Sequence, residues 1–195
     1  MFASLAFAAA LASQPLLTIQ DGPISTAPRA EQPAAQEGPI ATAAPVEIET
    51  PEALRIREAV AYANPLPRGA PEGDYPLVAW CEALVLGHVR VGESLNTTDE
   101  LDLDIMRLGR LEAADFHDAL RISASRQTPA TRAAADRAAA DSRGKWDQVL
   151  TRSQADRNQI FGLFYGLPGR CEHAARRLRD NITTPPATPA EVGLE

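Results

Sequence analysis

The sequence predicts an all-α protein, a helical bundle of four main helices preceded by a short N-terminal helix and closed by one disulfide. Three observations lead there. From Tyr75 to Leu95, the residues Leu77, Cys81, Leu84, His88, Val91 and Leu95 recur at alternating steps of four and three, which places them on one side of a helix. Capping residues and prolines divide residues 51–182 into helix-length pieces, and none of these alternates apolar and polar as a half-buried strand does. The only two cysteines, Cys81 and Cys171, each fall on the inward stripe of their helix.

The chain begins MFASLAFAAALA, an apolar run too short to span a bilayer. Ala10-Leu11-Ala12 fits the small-x-small pattern of a signal-peptidase site, so residues 1–12 read as a signal peptide and the mature chain as periplasmic or secreted. No cysteine lies near that site to carry a lipid. Residues 13–50 are rich in Pro, Ala, Gln, Thr and Glu without an apolar period, and cannot bury enough surface to offset their ordering entropy. They are expected to form a disordered leader, and the tail 183–195 (TTPPATPAEVGLE) is read the same way.

Residues 51–182 then form the bundle domain. Thr50-Pro51 sets a capping residue before a proline at the first helical position and opens a short helix that ends before Pro65. Asn64 to Asp74 (NPLPRGAPEGD) is a loop by its prolines and glycines. In the central helix that follows, Val78, Val85 and Val89 widen the apolar stripe and Trp80 flanks it, while Glu82, Arg90 and Glu93 face the other way. Ala83 and Gly87 leave room for a neighbouring helix to approach closely.

Thr97 with Glu100 reads as a capping box for the next helix, whose packing face is expected to include Leu101, Ile105, Leu108, Phe116, Ala119, Leu120 and Ile122. Thr128-Pro129 opens another, alanine-rich at first and apolar again at Trp146, Val149 and Leu150. Ile160, Phe161, Leu163 and Phe164 continue that face. TRSQADRN between them holds no breaker, so one long helix or two both fit. Gly166-Leu167-Pro168-Gly169 is the strongest stop signal, read as a turn before a last helix carrying Cys171, Ala174, Leu178 and Ile182.

In an up-down-up-down bundle the central and last helices run antiparallel, which suits a Cys81–Cys171 bond in an oxidising compartment. Closing a loop of this length stabilises by about 4–5 kcal/mol in the chain-entropy model. Neither cysteine sits in a CxxC or on an exposed turn, so neither reads as a nucleophile.

Charge excludes some functions. The net charge is −7, and the first 50 residues hold five carboxylates against Arg29 alone, so the helical body is close to neutral. A general nucleic-acid binder needs a basic face, which is missing here. Eighteen arginines against the single Lys145, with abundant alanine, point to a GC-rich bacterial genome.

His88 is the sharpest candidate for chemistry, two turns after Cys81 on the apolar stripe. A structural histidine with one hydrogen-bond partner is the bland reading, and Tyr165 is the partner the pairing of helices suggests. The alternative is a small-ligand or metal site centred on His88, with Trp80, Glu82 and Tyr165 around it. His117 lies at the edge of its helix's apolar face, and His173 is expected to point away from its stripe. No HxxxH, HExxH or ExxH pair occurs, so no metal site is expected. Phosphate loops, dinucleotide fingerprints, CxxCH and GxSxG are missing too, and no cofactor or catalytic set is expected.

Trp80-Cys81-x-x-Leu84-x-x-Gly87-His88 resembles a stretch found in uncharacterised exported α-helical proteins of alphaproteobacteria. The resemblance covers one helix and implies export from a Gram-negative cytoplasm. It implies no activity, cofactor or catalytic residue. The reading that follows is a non-enzymatic periplasmic interaction module whose partner is another envelope protein, with no nucleic acid and no transmembrane segment.

Overall fold

The computed structural model describes residues 49–164 and 166–194, and among them it contains six α-helices and no strand. Residues 1–48, including the expected signal peptide and nearly all of the expected leader, lie outside the described residues, as does Tyr165. The helices are α1 (Pro51–Ala63), α2 (Asp74–Glu93), α3 (Glu100–Ser123), α4 (Pro129–Leu150), α5 (Gln154–Gly162) and α6 (Arg170–Arg179). A 3₁₀ turn, Ala124–Arg126, links α3 to α4, and another, Ala190–Val192, lies near the end of the chain.

The starts of α1 and α4 follow the sequence. Thr50 and Thr128 each accept a hydrogen bond from a backbone N–H of the first turn, with proline at the first helical position. The cap of α3 differs from the expected Thr97–Glu100 box. Asp99 is the capping residue and accepts from Leu101 and Asp102, while Thr97 receives the Asp99 N–H and donates to the Asp102 carboxylate. A carboxylate at this position both satisfies free N–H groups and meets the positive end of the helix dipole. The choice between one helix and two after Pro129 is settled by Ser153, whose hydroxyl accepts from the Asp156 N–H and starts α5.

α2 is the centre of the bundle, in contact with α3, α4, α5 and α6. That is why four consecutive residues, Val78 to Cys81, are all buried. The small residues in α2 set the approach of α4. Ala79 and Ala83 pack on Ala135 and Ala139, and the Trp146 indole lies directly over Gly87. A Cβ on residue 87 would stand 2.0 Å from Trp146 Cδ1 and 2.2 Å from Cγ, so only glycine fits. Gly92 is under the same constraint from Phe161 and Met106. A disulfide joins Cys81 in α2 to Cys171 in α6, with Cα atoms 6.1 Å apart and 90 residues between them in sequence.

Several side chains fall elsewhere than the spacing implied. Of the residues expected on the packing face of α3, Phe116 and Ala119 are buried but Leu101, Leu108 and Ile122 are exposed, and Met106 and Ala113 are buried in place of these three. Leu163 is exposed as well. α6 stops at Arg179, because Asn181 takes a left-handed conformation that lets the Ile182 N–H reach the Arg177 carbonyl. Ile182 therefore lies beyond the helix. Within residues 183–194, Ala190–Val192 form a 3₁₀ turn bracketed by reciprocal bonds between Thr188 and Glu191, and Arg177 donates to the Thr184 carbonyl.

Candidate functional site

His88 is nearly sealed from solvent, at 4 % exposure. Its imidazole stacks between Phe161 and Phe164, with ring centres 4.5 and 4.3 Å away, and Trp146 stands at 6.2 Å. Nε2 donates to the Phe161 carbonyl at 2.9 Å, which fixes the proton on that nitrogen. The partner is thus a backbone carbonyl at the end of α5. Burial holds the His88 pKa below the ordinary histidine value, and the Phe161 hydrogen bond opposes this only in part. Aromatic faces, a satisfied nitrogen and a depressed pKa together describe a neutral histidine that ties α5 to α2.

The other residues proposed around His88 do not gather there. Trp80 packs with Leu77, Cys81, Phe116 and Cys171 in a separate apolar cluster. Glu82 is half-buried, its Oε1 3.1 Å from Nδ1 of the exposed His117. His173 is buried at 2 % exposure rather than turned outward, because α1 covers the side of α6 that the sequence left free. The three histidines occupy three different surroundings. Among the described residues no group of three or more His, Cys, Asp or Glu side chains is arranged to hold a metal, and no helix is long and apolar enough to cross a membrane.

Two clefts remain as candidate sites. One, of about 410 Å³, runs between α3 and the end of α5. Ile105, Leu108, Phe161 and Phe164 give it apolar walls, and Asp102 and Glu112 stand at its edge. Glu112 has its pKa raised by burial, then by the nearby Glu172 and Asp115 carboxylates. The second, of about 630 Å³, lies between α1, the Pro65–Pro67 loop, the Gly166–Gly169 loop and the start of α6.

A charge network lies where α1 meets α6, and its Glu58 and Arg177 line a further cleft of about 570 Å³ beside Thr184 and Pro185. Arg177 donates from Nη1 to Glu58 Oε1 at 2.9 Å and from Nε to Asp74 Oδ2 at 3.2 Å, and Arg176 reaches the other Glu58 oxygen at 2.8 Å. Tyr62 donates to Asp74 Oδ1 at 2.7 Å. Its pKa is pushed up by burial first, then by that hydrogen bond to a carboxylate. Burial alone would lower the Arg177 pKa, but Glu58, Tyr62 and Asp74 raise it on balance. The signal available in sequence was α1 itself. Its face has few large apolar residues, so a polar docking surface was the remaining way to hold it.

No family model, no curated protein and no solved structure matches this chain.

Proposed function

We propose that the chain is an exported, non-enzymatic interaction module whose α3 face docks an amphipathic helix of another envelope protein. One observation carries the reading. Leu101, Leu108 and Leu111 of α3 are 68, 54 and 60 % exposed, beside a cleft that Ile105 and Phe164 also line. Scattered exposed leucines need no explanation, but a run of them along one helix edge next to an apolar cleft is the kind of surface that interaction sites use. A partner helix would set anchors at helical spacing into that cleft, as in helix-in-groove recognition. The apolar residues 1–12, the disulfide and the likeness of Trp80–His88 to exported alphaproteobacterial proteins support the compartment.

The test is a photocrosslinking residue placed at Leu108, with a second at Lys145 on α4 as control, expressed in Gram-negative cells. The expected result is one discrete adduct at 108, absent at 145 and lost when Leu101 and Leu111 are both changed to Glu in a protein of unchanged melting temperature. Identical adducts from both positions, or none at 108, would refute the docking face. Adducts of the chain with itself alone would replace the partner by a second copy.

A further inference from the structure

We propose that the helix docked on α3 is a basic one, with lysine or arginine side chains about three turns apart flanking its apolar anchors. This rests on the α3 docking face and adds the chemistry of its partner. The cleft between α3 and the end of α5 is lined by two carboxylates, Asp102 and Glu112, and by no lysine or arginine. His88 also borders it, but is nearly sealed and held neutral by burial. Every formal charge on the cleft wall is therefore negative.

The rest of α3 adds to that sign. It carries Glu100, Asp102, Asp104, Glu112, Asp115 and Asp118 against Arg107, Arg110 and Arg121. The three arginines are already matched: Arg107 with Asp104 at 3.1 Å, Arg110 with Glu93 of α2 at 2.6 Å, and Arg121 with Asp118 at 3.1 Å. Asp115 has Arg179 of α6 at 2.5 Å. Among the described residues, Glu100, Asp102 and Glu112 have no cation at ion-pair distance, and Asp102 accepts only the Thr97 hydroxyl. Glu112 is exposed, so a partner can reach it, and the nearby Glu172 and Asp115 carboxylates add to the negative charge around it. A cation brought beside Glu112 relieves that repulsion, whereas an acidic partner increases it.

The spacing constrains the partner further. Asp102 and Glu112 are ten residues apart on one helix, about 15 Å along its axis. A helix lying along α3 in either direction meets both only if its own cations stand about ten residues apart. Its apolar anchors then fall between them, over Ile105, Leu108 and Phe164. Rim charges of this kind add little affinity singly, but they choose the partner and speed its approach.

The experiment titrates the ¹⁵N-labelled protein with two synthetic amphipathic helical peptides and follows the α3 amides by NMR. Both peptides carry leucines at i, i+3, i+4 and i+7; one has lysines about ten residues apart beside the leucine face, the other glutamates. The expected result is that the lysine peptide binds at least about 10-fold more tightly, moves the amides from Leu101 to Glu112, and loses its advantage as salt is raised. The chain's net charge of −7 offers a cationic peptide other places to settle, so the control must keep that charge equal. Asp102→Lys with Glu112→Lys should abolish the preference, whereas Asp136→Lys with Asp141→Lys on α4, the same change in net charge, should leave it in place. Glu112→Lys alone, at an exposed position, should remove most of the preference and keeps the test open if the double variant fails to fold. Equal binding of the two peptides at α3 would overturn the basic partner and leave the docking face standing. A preference that survives reversal at 102 and 112, or that the α4 changes abolish equally, would overturn it as well. So would α3 amides that neither peptide moves, while the docking face itself is decided separately by the Leu108 adduct.

Discussion

Gly87→Ala is expected to destabilise the bundle even though alanine is the better helix former. In the exposed middle of a helix the same change gains about 1 kcal/mol. At residue 87 the new methyl would lie 2.0 Å from Trp146 Cδ1, 2.2 Å from Cγ and 2.4 Å from Nε1. Ordinary carbon contacts are at about 3.5–4.0 Å, so the indole must retreat by roughly 1.5 Å. It cannot bend, and it belongs to the cluster of Val89, Met106 and Phe161 while standing close to His88 and Phe164. Forced overpacking of this kind costs about 1–3 kcal/mol or more, and expelling the ring costs about 3–5 kcal/mol. After the gain in helix propensity, a net loss of about 2 kcal/mol remains, which should lower the urea midpoint by roughly 1 M. Gly144→Ala in α4, where an added Cβ meets nothing within 4 Å, is the control and should raise the midpoint instead. In a Trp146→Ala background the Gly87 substitution should turn stabilising. Midpoints that move together for Gly87→Ala and Gly144→Ala would refute the close approach of α4 to α2.

Reducing the Cys81–Cys171 bond should cost about 4–5 kcal/mol, read as the difference in urea stability with and without dithiothreitol; equal stabilities would mean the bond does not form. Arg177→Met should cost about 3 kcal/mol, because it leaves the buried Glu58 carboxylate and the half-buried Asp74 short of a cation, and a double change with Glu58→Gln should cost less than the sum of the single ones. His88 and His173 both have pKa values lowered mainly by burial. The unfolded chain therefore takes up protons that the folded one refuses, so stability should be flat above about pH 6.5 and fall as the pH drops below it, until the folded histidines titrate. Urea midpoints across that interval, with His88→Asn and His173→Asn to remove each contribution, would check the sign; stability that rises on acidification would contradict it.

The fold was legible because its determinants are local. The Leu77–Leu95 stripe, the Thr-Pro starts at 50–51 and 128–129, and two inward cysteines define the helices and which of them must face each other. What the sequence concealed depends on which neighbour covers which face. Periodicity alone places Leu101, Leu108 and Ile122 of α3 on an apolar side, but α2 and α6 cover only the adjoining strip around Ala113 and Phe116, so the leucines stay outside. His173 is one residue off the stripe of α6, and only the arrival of α1 buries it. His88 faces inward as its place on the apolar stripe predicts, yet its partner is a backbone carbonyl, which no side-chain pattern announces. Trp80 and Glu82 lie close to His88 in sequence, but Trp80 packs in another cluster and Glu82 pairs with His117 at the surface.

The way α1 is held has a kinetic meaning. It meets the body chiefly through α6, and by ion pairs and polar contacts: Arg57 with Glu172, Glu58 with Arg176 and Arg177, Tyr62 with Asp74. The disulfide and the large apolar clusters lie on the other side of that seam. α1 is thus the element that can detach while the rest stays folded, and its amides should exchange with solvent earlier than those of α2, the more so as salt screens the pairs. Each such opening lifts one wall from His173, so the most deeply shut polar group of the cleft between α1 and α6 is guarded by the most loosely fastened helix.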